Sequence, residues 1–248
     1  MKKNHFYTQL QLPSPPPNRP LIAINMAASL DGKVTVGGDL KPDSLGGAFD
    51  RHTMDVIRSH FDAVLAGGNT LRRHPFYLGV PPEFELFRRE RGLANQPLTV
   101  CITASGRLDP HSPLFQKPPR PPLIFTGAQG AQALDRRIKN AAEVEIIGPE
   151  QVPEQITQTL SRDHHVQHLL VEGGPSINYQ FLRAGLVDQL FITLAPKLVG
   201  ARADFTLAMG EEPLTQPKHV TLLSAHEHEN ELFLRYQLIW PSEISKEE

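Results

Sequence analysis

Short apolar runs alternate with segments of helical spacing along most of this chain. Leu21-Ile22-Ala23-Ile24-Asn25-Met26-Ala27 is apolar almost throughout, as a strand covered on both faces must be. Phe49 to His60 has helical spacing and leads into the strand Ala63 to Ala66. Further strands are predicted over Leu98 to Thr103 and Leu123 to Thr126. Ala128 to Asn140 predicts a helix before the strand Val144 to Ile147, and Pro153 to Arg162 a helix before His168 to Val171. Pro175 to Ala184 predicts a helix ending at Gly185, followed by the strand Gln189 to Leu194. This alternation predicts an α/β fold with a mostly parallel central sheet and helices on both faces. The end of the chain breaks the pattern. Val220 to Ala225 and Glu231 to Ile239 flank the polar turn His226 to Asn230, which predicts an antiparallel hairpin and hence a mixed sheet.

Three zones follow from the same pattern. Residues 1–20 are polar, end in Pro13-Ser14-Pro15-Pro16-Pro17-Asn18-Arg19-Pro20, and read as a flexible arm outside the core. Residues 21–240 read as one domain and residues 241–248 as a polar tail. No apolar stretch reaches the roughly 20 residues of a membrane helix. The basic N-terminus has no apolar segment after it, so it does not read as a signal peptide and the chain reads as cytoplasmic. Among 248 residues the formal net charge is −2. No global field therefore draws the chain to nucleic acid or to an anionic membrane, although a local basic pocket for a phosphorylated ligand is still allowed. The single cysteine, Cys101, lies in a strand and reads as a small buried hydrophobe. His164, His165 and His168, and His226 with His228, lack the cysteines and spacing of a metal centre and read as surface polar residues.

Three segments carry chemistry. In Leu169-Leu170-Val171-Glu172-Gly173-Gly174-Pro175-Ser176 a buried strand ends in a carboxylate, two glycines and a helix start. Pro175 suits the first helical turn. Glycine lets a ligand approach the backbone, and the helix start favours an anion such as a pyrophosphate. A bare Gly-Gly fits a ligand-free strand-to-helix turn equally well. A second such turn is Ala66-Gly67-Gly68-Asn69-Thr70-Leu71-Arg72-Arg73. Thr70 can donate a hydroxyl hydrogen bond, and Arg72 or Arg73 can either pair with a 2′-phosphate or lie solvated at the surface. In the third, Met26-Ala27-Ala28-Ser29-Leu30-Asp31-Gly32-Lys33, small residues leave room for a flat ring. Lys33 can pair with Asp31 or reach a substrate anion.

These segments, in this order, resemble the pyrimidine reductase family of riboflavin biosynthesis, a domain often fused behind a deaminase. Ala28-Ser29-Leu30-Asp31-Gly32-Lys33, Arg58 to Thr70, Val171 to Pro175, Ala184 to Gln189 and Ala195-Pro196-Lys197-Leu198-Val199-Gly200 carry the likeness, which spans roughly residues 20–240. It implies a dihydrofolate-reductase-like three-layer fold. It also implies NADPH as hydride donor and a ribosylaminopyrimidine 5′-phosphate whose C1′ is reduced to give a ribityl group. By resemblance, Ala28, Ser44, Thr70, Gly173, Gly174, Pro175 and Ser176 bind cofactor, and the chemistry of their own turn adds Gly67, Gly68, Arg72 and Arg73. By resemblance Arg58 and Glu172 face substrate, and Lys33 is the candidate for a substrate anion; Glu172 is the candidate catalytic group, with a water its alternative for the proton that ring opening needs. The family also implies a homodimer, and the hairpin offers an apolar sheet edge to cover. No metal is implied. The chain departs from the family pattern at His74 to Val80, where His74 replaces an acid and no basic residue follows until Arg88. Arg88, Arg89 and Arg91 are the candidates for the missing phosphate contact. This departure keeps open a reductase of the same fold acting on another pyrimidine, pterin or carbonyl compound; a non-catalytic nucleotide-binding protein is the third reading.

Overall fold

Strand alternation builds two cores in the computed structural model, which describes residues 5–37, 45–73, 78–116, 118–200, 204–214 and 216–240. Ala23, Val64, Ala66, Cys101, Ile124 and Leu170 point to one face of the sheet, and their neighbours Ile22, Ile24, Leu65, Val100, Phe125 and Val171 to the other. Both sets are fully or almost fully buried. Period-two alternation with apolar residues at both parities is what a sheet covered on both faces requires.

The strands are β1 (Leu21–Ser29), β2 (Ala63–Gly67), β3 (Leu98–Ile102), β4 (Leu123–Thr126), β5 (Glu143–Ile146), β6 (His168–Val171), β7 (Gln189–Ala195), β8 (His219–His228) and β9 (Glu231–Ile239). The described residues form one nine-stranded sheet in the order β5-β4-β3-β2-β6-β1-β7-β9-β8. β1 to β7 are parallel; β9 joins β7 antiparallel and β8 closes the hairpin. The mixed sheet and terminal hairpin match the pattern read from the sequence. Helix α1 (Ala48–Arg58) packs Val56 and Ile57 on the first face, where Ile138 of α5 (Arg136–Ala141) joins them. Helices α6 (Val152–Arg162) and α7 (Pro175–Arg183) cover the second face with Ile156, Leu160, Phe181 and Leu182. The short helices α2 (Gly68–Arg73), α3 (Glu85–Arg89) and α4 (Ala128–Ala133) complete the set.

Two expectations change. The single helix expected over Ala128 to Asn140 is two, α4 and α5, because Leu134 is extended and the Asp135 side chain accepts the amide of Arg137 at 2.8 Å. A short carboxylate that caps a new helix breaks the one before it. The N-terminal arm is not outside the core: His5, Tyr7, Thr8 and Leu10 are buried. Tyr7 lies edge-on to Phe191 with ring centroids 5.4 Å apart. Residues 1–4 and the tail 241–248 lie outside the described residues.

Candidate active site

Strand order brings the three chemical segments together. β2, β6 and β1 are neighbours, with Leu65 opposite Val171 and Val171 opposite Ile24. Their carboxyl ends therefore carry Gly67-Gly68, Glu172-Gly173 and Ala28-Ser29 side by side on one edge of the sheet, the edge at which ligands bind in open α/β folds.

The two glycine turns touch. The Gly67 amide donates to the Gly173 carbonyl at 2.8 Å. Gly173 has φ +88°, a conformation that favours glycine, and its peptide to Gly174 is cis. Gly174 is extended and begins α7, with Pro175 at the first helical position. A Cβ on Gly174 would lie 2.9 Å from Thr70 Oγ1. Thr70 is buried in α2. Nearby, Thr103 Oγ1 is buried with no hydrogen-bond partner, and a Cβ on Gly68 would come within 3.0 Å of it. Ser176 is exposed in the first turn of α7. These features fit a pyrophosphate: backbone without side chains, the amide end of a helix, and an orphaned hydroxyl.

Beside the turns is a buried ion pair. Arg58 closes α1, and its Nε and Nη2 donate to the two carboxylate oxygens of Glu172 at 2.8 and 2.5 Å. Arg58 also donates to the Gly79 carbonyl at 3.3 Å. Burial works against the Arg58 cation, but the facing carboxylate of Glu172 overrides it and holds the guanidinium charged, above its ordinary range. Both oxygens of Glu172 are engaged by the guanidinium. It is therefore a fixed carboxylate, and its other lone pairs can accept from amino or hydroxyl groups of a ligand.

Sequence reasoning missed two further acids. Asp50, Met54 and Arg58 share one face of α1 at i, i+4 spacing, and that spacing was the available signal. The Asp50 carboxyl is pushed up to about 6, chiefly by burial and further by Glu231 and Glu172, against a hydrogen bond from Thr193 that lowers it. Asp55 is also pushed up to about 6 by burial, with Arg58 pulling it down and Glu172 pushing it up.

The remaining expected residues fall as follows. Ala28 is buried at the end of β1. Ser29 Oγ donates to Asp31, and Asp31 accepts the amides of Val199 and Gly200 at 3.0 and 2.8 Å. Those three hydrogen bonds hold the Asp31 carboxyl below its ordinary range. The backbone of Lys33 closes the same turn on Ser29. Arg72 is exposed and donates to the Arg107 carbonyl at 2.9 Å. The Arg73 guanidinium lies over the Phe205 ring at 5.7 Å. Ser44 and His74 to Tyr77 lie outside the described residues. Arg88 is no phosphate ligand: it is fully buried and donates to the carbonyls of Arg58, Ser59, Phe61 and Ala94. It caps the carboxyl end of α1, where carbonyls lack helical partners. Arg91 is stacked on Phe87 at 3.7 Å, and Arg89 is exposed.

The RibD C-terminal domain family matches residues 20–234. The chain belongs to this family. Among its relatives, a 2,5-diamino-6-ribosylamino-4(3H)-pyrimidinone 5′-phosphate reductase of Methanothermobacter thermautotrophicus is 27% identical over 194 residues, covering 78% of this chain and 85% of that one. A reductase of the same name from Aquifex aeolicus is 27% identical over 228 residues, covering 89% and 97%. A pyrimidine reductase-like protein of Corynebacterium diphtheriae has the same fold, with a TM-score of 0.79 at 24% identity, covering 90% of this chain and 93% of that one. As a RibD C-terminal domain the chain is a reductase type, and the dihydrofolate-reductase-like fold expected from the resemblance is the fold observed. Among the described residues no helix is long and apolar enough to cross a membrane, and no cluster of histidine, cysteine or carboxylate side chains is arranged to hold a metal.

Proposed function

We propose that this chain is the NADPH-dependent reductase of riboflavin biosynthesis that converts the ribosyl group of a diamino-ribosylaminopyrimidinone 5′-phosphate to ribityl. One observation carries the reading: two glycine turns that meet backbone to backbone beside a buried Arg58–Glu172 pair, on one edge of the sheet. The substrate class comes from the relatives named above.

The residues divide by chemistry. Ala28, Gly67, Gly68, Thr70, Gly173, Gly174, Pro175 and Ser176 hold NADPH, with Arg72 or Arg73 on its 2′-phosphate. The cofactor supplies the hydride when bound. Glu172 accepts hydrogen bonds from substrate amino or hydroxyl groups, and Arg58 keeps it aimed. Lys33 faces the substrate's anionic end. This division leaves the protein mainly a positioning role, which is what hydride transfer asks of it.

The chain acts as a cytoplasmic homodimer in this reading. β8 is the sheet edge, and Val220, Leu222 and Leu223 on it are 43%, 51% and 45% exposed, an apolar surface suited to a second copy.

The departure at His74 to Val80 favours testing other acceptors. NADPH oxidation is measured with the aminopyrimidine ribotide, a pterin and a simple carbonyl compound. Turnover with the ribotide alone is the expected result; turnover only with a pterin or carbonyl replaces this reading by the same-fold alternative.

A further inference from the structure

The family match begins at residue 20, yet the segment before it is built into the protein. His5 accepts the Tyr7 amide at Nδ1, which puts the proton of the neutral ring on Nε2, 2.8 Å from Thr53 Oγ1 in the middle of α1. Thr53 passes the chain on by donating to the Phe49 carbonyl at 2.8 Å. The His5 ring stacks on Phe49 at 5.0 Å, and Phe6 stacks on His226 of β8 at 4.3 Å. At the other end of the helix, His60 Nε2 donates to the Tyr7 carbonyl at 3.0 Å. Burial keeps both imidazoles neutral, at about 4 for His5 and about 3 for His60, as these hydrogen bonds need. Further along, Arg235 of β9 donates to the Gln11 carbonyl at 3.0 Å, and His168 of β6 to the Pro13 carbonyl at 2.9 Å.

The segment therefore grips α1 at both ends and ties it to the hairpin. α1 is the helix that carries Arg58, and Arg58 reaches the site through a side chain fixed on Glu172. A small shift of the helix would move both donors, and bidentate geometry tolerates little displacement. We propose that residues 5–12 are a positioning strap, which sets α1 and through it the Arg58–Glu172 pair for substrate binding. The strap acts on the substrate half of the site. Outside the strap, His5 and Tyr7 hydrogen-bond to Thr53 of α1 and to His60 just past that helix, and the strap's ring contacts include Phe49, β7 and β8, whereas the glycine turns of the cofactor half end β2 and β6 and share with Tyr7 and Leu10 only the wider core.

The substrate arm of this inference rests on the proposed reductase reading, so its test has a second readout that does not. In the full-length chain, Phe6 and Tyr7 are both replaced by alanine, and Tyr7→Phe, which keeps the ring, is the control. Well below the melting temperature, the double variant is expected to raise the KM for the aminopyrimidine ribotide about tenfold or more. NADPH affinity should stay within about twofold of wild type, and Tyr7→Phe should keep the wild-type KM. Hydrogen exchange is expected to speed up in α1 and not in α7. An unchanged KM in a double variant that merely melts earlier would reduce the strap to a stabilising element. Equal exchange in α1 and α7 would overturn it too. If wild type shows no ribotide-dependent NADPH oxidation, the reductase reading fails, and the exchange comparison alone decides the strap.

Discussion

Gly67 and Gly173 join the two glycine turns through one hydrogen bond, the amide of Gly67 donating to the carbonyl of Gly173 at 2.8 Å. The contact fixes the end of β2 against the start of α7. It also places Thr70 against Gly174, where a Cβ would lie 2.9 Å from the threonine hydroxyl. The proposed function gives cofactor and substrate roles to adjacent residues, and these should fail differently.

Gly174→Val is expected to weaken NADPH binding about tenfold or more, because Gly174 has an extended backbone that accepts valine but no room for its side chain. Glu172→Gln keeps the shape and one accepting oxygen, so NADPH should still bind while turnover falls. It also takes away the nearer counter-charge on the buried Arg58 and leaves Asp55 at 3.7 Å, so a lower melting temperature goes with it. Titration of NADPH and acceptor-dependent oxidation, each on folded protein, check both. Normal turnover in the glutamine variant would take Glu172 out of the substrate site.

Replacing Arg72 and Arg73 by alanine is expected to weaken NADPH about ten- to a hundredfold, the worth of a charge-assisted phosphate contact. NADH should bind nearly as before. Loss of Arg72 also removes its hydrogen bond to the Arg107 carbonyl. An equal loss for both cofactors would therefore assign these arginines to the loop and not to the 2′-phosphate.

Asp50 gives the pH prediction. Its folded carboxyl sits at about 6 against an ordinary 3.8, so between those values the folded state holds more protons than the unfolded. Ionised Asp50 therefore destabilises the fold increasingly as pH rises through that window, and the cost is full above about 6. Asp50→Asn should raise the melting temperature more at pH 8 than at pH 4. A gain that is the same at both pH values, or larger at pH 4, would show that burial does not govern this carboxyl.

Much of this was legible in the sequence. Strand runs such as Leu21 to Ala27 pointed to the fold, and the ends at Gly67-Gly68 and Glu172-Gly173 to the two glycine turns that meet at the sheet edge. They are local patterns: an apolar run, then glycine, then a helix start. What stayed hidden depends on contacts between distant residues. Nothing near Arg88 says that it will cap α1 some thirty residues earlier. The run of prolines at 13–20 suggested an arm, and masked the apolar Phe6, Tyr7 and Leu10 before it, which pack on the core. Asp50 was within reach, since it repeats with Met54 and Arg58 at helical spacing, but its neighbour Thr193 lies on a strand about 140 residues away.

For the dimer, Leu222→Glu puts a charge on an exposed apolar position of the edge strand β8. Light scattering should give twice the chain mass for wild type and the single mass for the variant. A wild-type monomer across a wide concentration range would remove the hairpin as an interface.

In the proposed reaction, hydride passes from NADPH to C1′ of a ribosylaminopyrimidine phosphate. Supplying NADPH deuterated at the transferable C4 position, with the diamino-ribosylaminopyrimidinone 5′-phosphate, tests it directly. The expected result is a ribityl product carrying one deuterium at C1′ for each NADPH oxidised. NADPH oxidation that leaves the sugar unlabelled, or an unreacted ribotide with the cofactor intact, would contradict it.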